Sequence, residues 1–265
     1  MTYQKILPIP ALRAYVQYFW ILENANDKGV KSFKILPDGI PALIFQDTSN
    51  YFVDSSNLVV PKLYLYGQFS KHTDQNVEGA FRIIGVYLKP AALKALFHID
   101  ASEFSNQNIA LEDIVSQTIL EQLVNAPIIE DKIAIISNFL LERVRVVKYN
   151  NQRAQFASEL LQTGKTLKEV QYELAMSERS LERLTKQYIG MSPKMFSRIM
   201  RFQYSLELLR SHENISSTAL TYENTYFDQS HYIKEFKEFT GVSPKQFLLN
   251  AEEKLSNFPE WKKIL

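Results

Sequence analysis

The segment SERSLERLTKQYIGMSPKMF at residues 177–196 recurs as DQSHYIKEFKEFTGVSPKQF at residues 228–247. The two copies align without a gap at an offset of 51 residues. A repeat at a fixed offset indicates one supersecondary unit that is used twice. Each copy contains a charged amphipathic helix, then a glycine, then a Ser-Pro pair of the kind that begins a helix. The identical pairs are Lys186/Lys237, Gly190/Gly241, Ser192/Ser243, Pro193/Pro244, Lys194/Lys245 and Phe196/Phe247.

The overall charge of the chain gives no sign of a nucleic-acid partner. Its 265 residues carry a net charge of +1, and residues 151–265 contain 16 basic against 14 acidic side chains. An electrostatic attraction to DNA would therefore have to come from the local placement of Lys and Arg. The length predicts one or two domains.

Composition and motifs argue against several classes of protein. The chain has no cysteine, which excludes disulfides, thiolate metal sites and cysteine nucleophiles. No apolar run is long enough to span a membrane and residues 1–10 lack a signal-peptide pattern, so we expect a cytoplasmic protein without membrane contact. Because no nucleotide-binding or hydrolase motif occurs, we expect no cofactor and no catalytic centre. The four histidines are not spaced as metal ligands: His72, His98, His212 and His231.

The first half of the chain predicts a β-rich domain. Four segments rich in β-branched and aromatic residues are separated by turn residues, and such short strands predict a barrel or a sandwich. Asp38 lies in one of the turns, where we expect it to form the turn rather than to act as a catalytic acid. From Pro90 onward the pattern becomes helical, with a long helix predicted over 131–147. The predicted strands cover 33–36, 40–46, 57–68 and 80–89.

The predicted fold class is α+β, with an all-α domain after the β-rich domain and its helices. We place the first domain at residues 1–148 and the boundary in the polar stretch 148–152. The helical domain then covers residues 152–250, and residues 251–265 form a C-terminal tail.

The helical domain contains the pattern of a helix-turn-helix twice: a short helix, a tight turn and a second amphipathic helix. The first unit pairs helices 167–174 and 178–188, and the second pairs 217–223 and 229–239. At the start of the first unit, Thr166 and Glu169 predict a capping box.

A helix that binds DNA needs one apolar stripe for its own core and a polar face for the partner. The predicted stripes are Leu181, Leu184 and Tyr188 in the first copy, and Tyr232, Phe236 and Phe239 in the second. On the opposite faces, Arg and Lys can bind guanine or phosphate, and Gln can bind adenine. The candidate DNA-binding residues are Arg179, Glu182, Arg183, Lys186, Gln229, Ser230, Lys234 and Lys237.

The segment YFDQSHYIKEFKEFTGVSPKQF, residues 226–247, resembles the signature of AraC/XylS-type transcription regulators. The resemblance covers roughly residues 152–250 and implies two units that bind successive major grooves of promoter DNA. By position it implies base or backbone contacts for Arg179, Glu182 and Arg183 in the first unit and for Gln229, Ser230 and Lys234 in the second. The N-terminal half is more loosely similar to sensor-type domains, through YFWIL (18–22), ILPDG (35–39) and GVYLKPAAL (85–93).

The chain departs from the family pattern in both units. The family has a small Ala on the first helix of each unit, where this chain has Gln171 and Thr221, and a Gly in each turn, where it has Ala175 and Thr225. Thr185 also stands where the second copy has Phe236. A Thr buries less apolar area than an aromatic ring, so we expect the first unit to be the less stable one.

Taken together, the sequence predicts a transcription regulator whose partner is double-stranded promoter DNA. A small-molecule effector and a second copy of the chain are the candidate partners of the N-terminal domain. Two alternatives remain. The N-terminal domain could be an enzyme or a small-molecule-binding protein, and the helical domain could be a protein-interaction module.

Overall fold

A computed structural model describes residues 1–26, 28–116, 119–147, 151–211, 228–252 and 257–261. The predicted α+β class is confirmed, because two antiparallel sheets with helices are followed by a helical region. The predicted helix 217–223, with Thr221 and Thr225, lies outside the described residues, as does His212.

The strands form two sheets of a sandwich rather than a closed barrel. The described strands are β1 (Thr2–Ile6), β2 (Val16–Asn24), β3 (Val30–Ile35), β4 (Ala42–Gln46), β5 (Val53–Asp54), β6 (Leu63–Tyr66), β7 (Thr73–Glu78), β8 (Phe81–Leu88), β9 (Asn108–Ala110), β10 (Ala251–Glu252) and β11 (Glu260–Trp261). The larger sheet has the order β1-β2-β8-β4-β6-β9 and the smaller one the order β10-β11-β3-β7-β5, and each of these pairings is antiparallel.

The larger sheet is covered on both faces, which explains its nearly continuous apolar strands. Along β2, Phe19 and Ile21 point to a core that the N-terminal helices complete. Trp20 and Leu22 point to the core between the two sheets. Alternate residues of a strand face opposite sides, so a strand buried on both sides has no polar face. Its sequence therefore lacks the polar–apolar alternation of a half-exposed strand.

Seven of the eleven described strands were not among the predicted segments, and one predicted segment was too long. The missed strands are β1, β2, β5, β7, β9, β10 and β11. Of these, β7 (TDQNVE) is too polar to give a β signal. In the predicted segment 57–68 only residues 63–66 form a strand. Pro61 precedes this strand and has no backbone N–H to donate to a sheet.

The helices agree closely with the predicted segments. The long helix predicted over 131–147 spans Ile129–Arg145, and the one predicted over 178–188 ends one residue later. The helices are α1 (Ala92–Phe97), α2 (Leu120–Asn125), α3 (Ile129–Arg145), α4 (Gln152–Gln162), α5 (Leu167–Leu174), α6 (Glu178–Ile189), α7 (Pro193–Ser211), α8 (Gln229–Thr240) and α9 (Pro244–Asn250). None of the described helices is long and apolar enough to cross a membrane.

The predicted capping groups fix the helix starts. The Thr166 hydroxyl accepts a hydrogen bond from the Glu169 amide at 3.3 Å, and the Glu169 carboxylate accepts one from the Thr166 amide at 2.7 Å. This is the predicted capping box of α5. Ser243 and Gln246 form a second box at the start of α9.

The N-terminal and helical regions share an interface. Leu36 of the N-terminal region is fully buried in the core of the helical region. Gly39 approaches Phe196 so closely that an added Cβ would lie 2.6 Å from the ring. Nearby, the Gln203 amide donates to the Pro37 carbonyl at 2.6 Å. The turn 37–39 therefore connects the sandwich to α7.

The end of the chain returns to the smaller sheet. Glu260 of β11 is in register with Phe33 of β3, and its carboxylate pairs with Lys31 at 2.6 Å. Phe258 stacks on Phe33 with 4.6 Å between ring centroids. Residues 257–261, which the sequence suggested to be part of a tail, therefore complete the sandwich.

Candidate DNA interface

The first candidate recognition helix, α6, shows one buried and one exposed face. Leu181 is buried on the inner face, while Leu184 and Tyr188 are half-buried at its edge. The four predicted DNA-binding residues share the outer face and line one open surface depression: Arg179, Glu182, Arg183 and Lys186. Lys186 pairs with Glu182 at 2.9 Å. Such an exposed pair contributes little stability, so either partner can exchange it for a contact with DNA.

The second candidate recognition helix, α8, has the same division. Tyr232, Phe236 and Phe239 are fully buried, as predicted. The four predicted residues Gln229, Ser230, Lys234 and Lys237 are all exposed. The Asp228 side chain caps the helix by accepting a hydrogen bond from the His231 amide at 2.7 Å. The residues of the first turn are therefore held in a helical conformation at the surface.

A buried ion cluster fixes α8 against α7. Glu235 is 2 % exposed. Its carboxylate accepts hydrogen bonds from the Arg201 guanidinium at 2.9 Å and from Arg198 Nε at 2.8 Å. Arg198 also reaches Glu238 at 2.7 Å.

This cluster was not among the sequence-based predictions, although the repeat contains a signal for it. Glu235 aligns with Leu184, so a charged residue replaces an apolar one on the stripe that should be buried. A carboxylate at such a position needs a buried partner, and the basic residues of α7 supply it.

The equivalent glycines of the two repeats both touch the N-terminal region. Gly190 ends α6 with φ +89°, and an added Cβ would lie 2.8 Å from the Ala101 carbonyl. Its own carbonyl accepts a hydrogen bond from the Ser105 hydroxyl. Gly241 ends α8 with φ +79°, and an added Cβ would lie 2.8 Å from the His72 ring. The C-terminal end of each helix therefore lies against the N-terminal region, whereas its N-terminal turn is at the opposite end of the helix.

The departures of the first unit from the family pattern are accommodated in different ways. Thr185 is fully buried, and its hydroxyl donates to the Glu182 carbonyl of the same helix at 3.1 Å. Gln171 is half-exposed, so it leaves no unpaired amide in the core. Ala175 takes the left-handed conformation at φ 49° where the family has glycine.

Asp38 forms the turn that the sequence predicted for it. One carboxylate oxygen accepts a hydrogen bond from the Ile40 amide at 2.9 Å. The other accepts one from the side-chain amide of Asn257 at 3.2 Å. The side chain is nonetheless only 4 % exposed, and this burial raises its pKa to about 7.

The arrangement of α5 to α8 is that of a helix-turn-helix protein: two capped amphipathic helices on one connecting helix, each with a polar outer face. Comparison with known proteins agrees. Residues 172–250 match the family described as a helix-turn-helix domain, and residues 4–110 match a domain of unknown function. Residues 172–250 therefore form a helix-turn-helix domain.

One curated relative and several solved structures are similar to the chain. An uncharacterized HTH-type transcriptional regulator from Haemophilus influenzae is 37% identical over 76 residues. The match covers 28% of this chain and 25% of the relative, so the chain spans about a quarter of the length of the relative it matches. A 1.65 Å structure of ToxT from Vibrio cholerae is 12% identical, covers 94% of this chain and 98% of that chain, and has a TM-score of 0.46. A second ToxT structure, with an unsaturated fatty acid bound, is 14% identical, covers 86% and 95%, and has a TM-score of 0.45.

Proposed function

We propose that the protein is a sequence-specific DNA-binding transcription regulator whose α6 and α8 enter successive major grooves. The observation that carries this proposal is that α6 and α8 both expose a polar outer face. Both helices have their C-terminal glycines against the sandwich and their N-terminal turns away from it. In helix-turn-helix proteins the N-terminal residues of the recognition helix contact the base edges.

The outer faces of α6 and α8 carry side chains that can bind bases and phosphates in a major groove. Arg183 and Lys234 are equivalent in the repeat, and either can bind guanine O6 and N7. Gln229, in the first turn of α8, can bind adenine through both groups of its amide. Lys186 and Lys237 lie further along their helices, where we assign them to phosphates.

The connecting helix sets a suitable distance between the two units. The 19 residues of α7 span ~28 Å at ~1.5 Å per residue. Successive major grooves on one face of DNA are about 34–36 Å apart. The buried Glu235 cluster holds α8 on this connector, so the second unit would be presented in a fixed orientation.

The N-terminal sandwich is assigned the regulatory role. It touches the C-terminal ends of both recognition helices and leaves their outer faces open. A change in the sandwich could therefore alter the relative placement of the two helices without occupying the DNA-binding surface. A transcription regulator acts on chromosomal DNA, so we assign the protein to the cytoplasm. Self-association remains a prediction, which sedimentation with and without DNA would check.

A gel-shift titration with the DNA upstream of the protein's own gene tests the proposed function. About four to six contacts with phosphates or base edges predict a slope of log affinity against log salt on the order of −3 to −5, at about −0.9 for each phosphate contact. The variant Lys28→Ala removes an exposed charge from the sandwich and serves as the control. Competition by unrelated DNA would contradict sequence-specific recognition, and the absence of binding would favour the protein-interaction alternative instead.

A further inference from the structure

Corresponding positions of the two candidate recognition helices carry different side chains. The offset of 51 residues pairs Glu182 of α6 with Ile233 of α8, and Arg179 with Ser230. The helices themselves are alike: each has 12 residues, begins at a side-chain cap and ends at a glycine in the left-handed conformation. The outer faces of α6 and α8 therefore differ in the chemistry of their side chains while the backbone that presents them is the same.

Glu182 places a carboxylate among basic side chains on the outer face of α6. It lines the surface depression beside Arg179 and Arg183, and its side chain is 47 % exposed. The phosphates of DNA repel a carboxylate, so Glu182 is unfavourable in a helix that meets only the backbone. In the major groove, cytosine offers its N4 amino group as a donor to a carboxylate, whereas guanine N7 and O6 and thymine O4 are acceptors. Glu182 can therefore select cytosine both by attraction and by exclusion of other bases.

The ion pair with Lys186 suits Glu182 to this role. Lys186 Nζ lies 2.9 Å from Glu182 Oε1, because side chains four residues apart lie on the same side of a helix. A carboxylate has two oxygens, so it can accept from the ammonium and from a base at the same time. The ammonium also offsets the repulsion between the carboxylate and the nearby phosphates. The pair thus keeps the carboxylate on the outer face of α6 at a reduced electrostatic cost.

Ile233 gives α8 an apolar group at the corresponding position. It lies one turn after Gln229 and one turn before Lys237, which are both exposed. Ile233 itself is half-buried at the edge of the helical core, so the rest of its side chain lies in the same row as these two residues. An aliphatic side chain makes no hydrogen bond to a base edge, but it can contact the C5 methyl group that thymine carries in the major groove. Ile233 can therefore favour thymine.

We propose that Glu182 and Ile233 make the two halves of the DNA site different, with cytosine selected by the first recognition helix and thymine by the second. The inference rests on the proposed function, in which both helices enter the major groove, and adds which base each of them selects. Two identical helices would select two identical half-sites. Because these helices differ at corresponding positions, the site is asymmetric and a single chain binds it in one orientation.

Selection by the full chain from a pool of randomised double-stranded DNA tests the inference. Sequencing of the bound fraction should give two half-sites about 10 base pairs apart, with a fixed cytosine in one and a fixed thymine in the other. Glu182→Ala should lose the preference for the cytosine alone, and Ile233→Ala the preference for the thymine alone. Glu159→Ala removes an exposed carboxylate of α4 and should keep both preferences.

Base substitutions in the selected site separate base recognition from any effect of a variant on folding. Replacing the thymine with uracil removes one methyl group and should weaken binding of the unaltered protein about fourfold, the effect of transferring such a group out of water. The same replacement should leave binding of Ile233→Ala unchanged. Replacing the cytosine with thymine should weaken binding of the unaltered protein about tenfold and that of Glu182→Ala much less. Fluorescence titration measures all four comparisons.

The outcomes distinguish this inference from the proposed function. Two identical half-sites, a cytosine preference that persists in Glu182→Ala, or equal binding of the thymine and uracil sites by the unaltered protein would overturn the inference and leave the proposed function standing. A selection that enriches no sequence would overturn the proposed function and the inference with it.

Discussion

At the scale of single residues, the turn of the first unit contains a strained alanine. Ala175 has φ 49° and ψ 50°, and an L-residue with a Cβ is disfavoured in this left-handed conformation by about 1–2 kcal/mol. Ala175→Gly should therefore stabilise the protein by about 1 kcal/mol in urea unfolding, since part of the relief is offset by the greater freedom of glycine in the unfolded chain.

The reverse change at Gly164 is the matched control. Gly164 ends α4 with φ +80°, and no atom lies within 4 Å of an added Cβ. A side chain at this position would therefore strain the backbone without any steric clash. Gly164→Ala should destabilise the protein by about 1 kcal/mol. If Ala175→Gly also destabilised it, Ala175 would not be strained.

Asp38 makes stability depend on pH. The pKa of its buried carboxyl is about 7 against an ordinary value of 3.8, so the folded state binds the proton more tightly than the unfolded state does. Stability is therefore full below about pH 4 and falls as the pH rises to about 7, because the charged form is buried.

The variant Asp38→Asn avoids this loss. At pH 8 the free energy of unfolding of the variant should exceed that of the wild type by about 3 kcal/mol. The raised pKa corresponds to about 1.4 kcal/mol for each pKa unit, and the weaker hydrogen bonds of the neutral side chain reduce this gain. At pH 4 it should give no gain. Urea unfolding at both values measures the difference, with Asp113→Asn, which removes an exposed carboxylate of the same region, as the control. An equal gain at pH 4 and pH 8 would show that titration of Asp38 is not the cause.

Among single residues, the sequence was most informative where the chemistry is local. The capping box of Thr166 and the turn at Asp38 involve groups within three residues of each other, so a short segment specifies them. The partners of Asp38 and Glu235 could not be predicted, because Asn257 and Arg201 come from distant parts of the chain.

At the scale of elements, the ion cluster between α7 and α8 should matter more than a surface pair. Glu235→Ala would leave Arg198 and Arg201 without their shared carboxylate and should destabilise the protein by about 3 kcal/mol. Glu238→Ala removes only the exposed partner of Arg198 and should cost less than about 1 kcal/mol. Thermal and urea unfolding of both variants compare the two. Equal losses of stability in the two variants would mean that the burial of Glu235 does not strengthen its ion pairs.

The lower stability of the first unit stays a prediction. On its inner face α6 buries Thr185 where α8 buries Phe236, and it lacks an equivalent of the Glu235 cluster. We expect the amides of residues 178–188 to exchange with solvent sooner than those of residues 229–239. Hydrogen exchange on the free protein measures this. Equal protection would indicate that the contacts of α6 with the sandwich compensate for the smaller core.

Strands were predicted less well than helices for a physical reason. A helix such as α5 is specified by its caps and by apolar residues within a few positions of each other. The strand β7 is specified by pairing with β3, some forty residues earlier in the chain, and its own residues are mostly polar. Pairing between such distant segments cannot be predicted from the local sequence pattern.

At the scale of the whole molecule, the C-terminal strand β11 completes a sheet that is formed by strands of the N-terminal region. β11 pairs with β3, and the interface also includes the turn at Gly39 and both helix-ending glycines. The repeat predicted the two units but not this contact, since Gly190 and Gly241 also fit the ordinary role of glycine at a helix end. The structure adds that both glycines allow a close approach to the sandwich.

Hydroxyl-radical footprinting on the DNA upstream of the gene tests the central claim most directly, that α6 and α8 each read one major groove. We predict two protected stretches on one face of the DNA, about 10 base pairs apart. Arg183→Ala should weaken protection of one stretch and Lys234→Ala that of the other, each by about 1–3 kcal/mol. Lys28→Ala should leave both unchanged. A single protected stretch, or unchanged protection in both recognition-helix variants, would contradict the account.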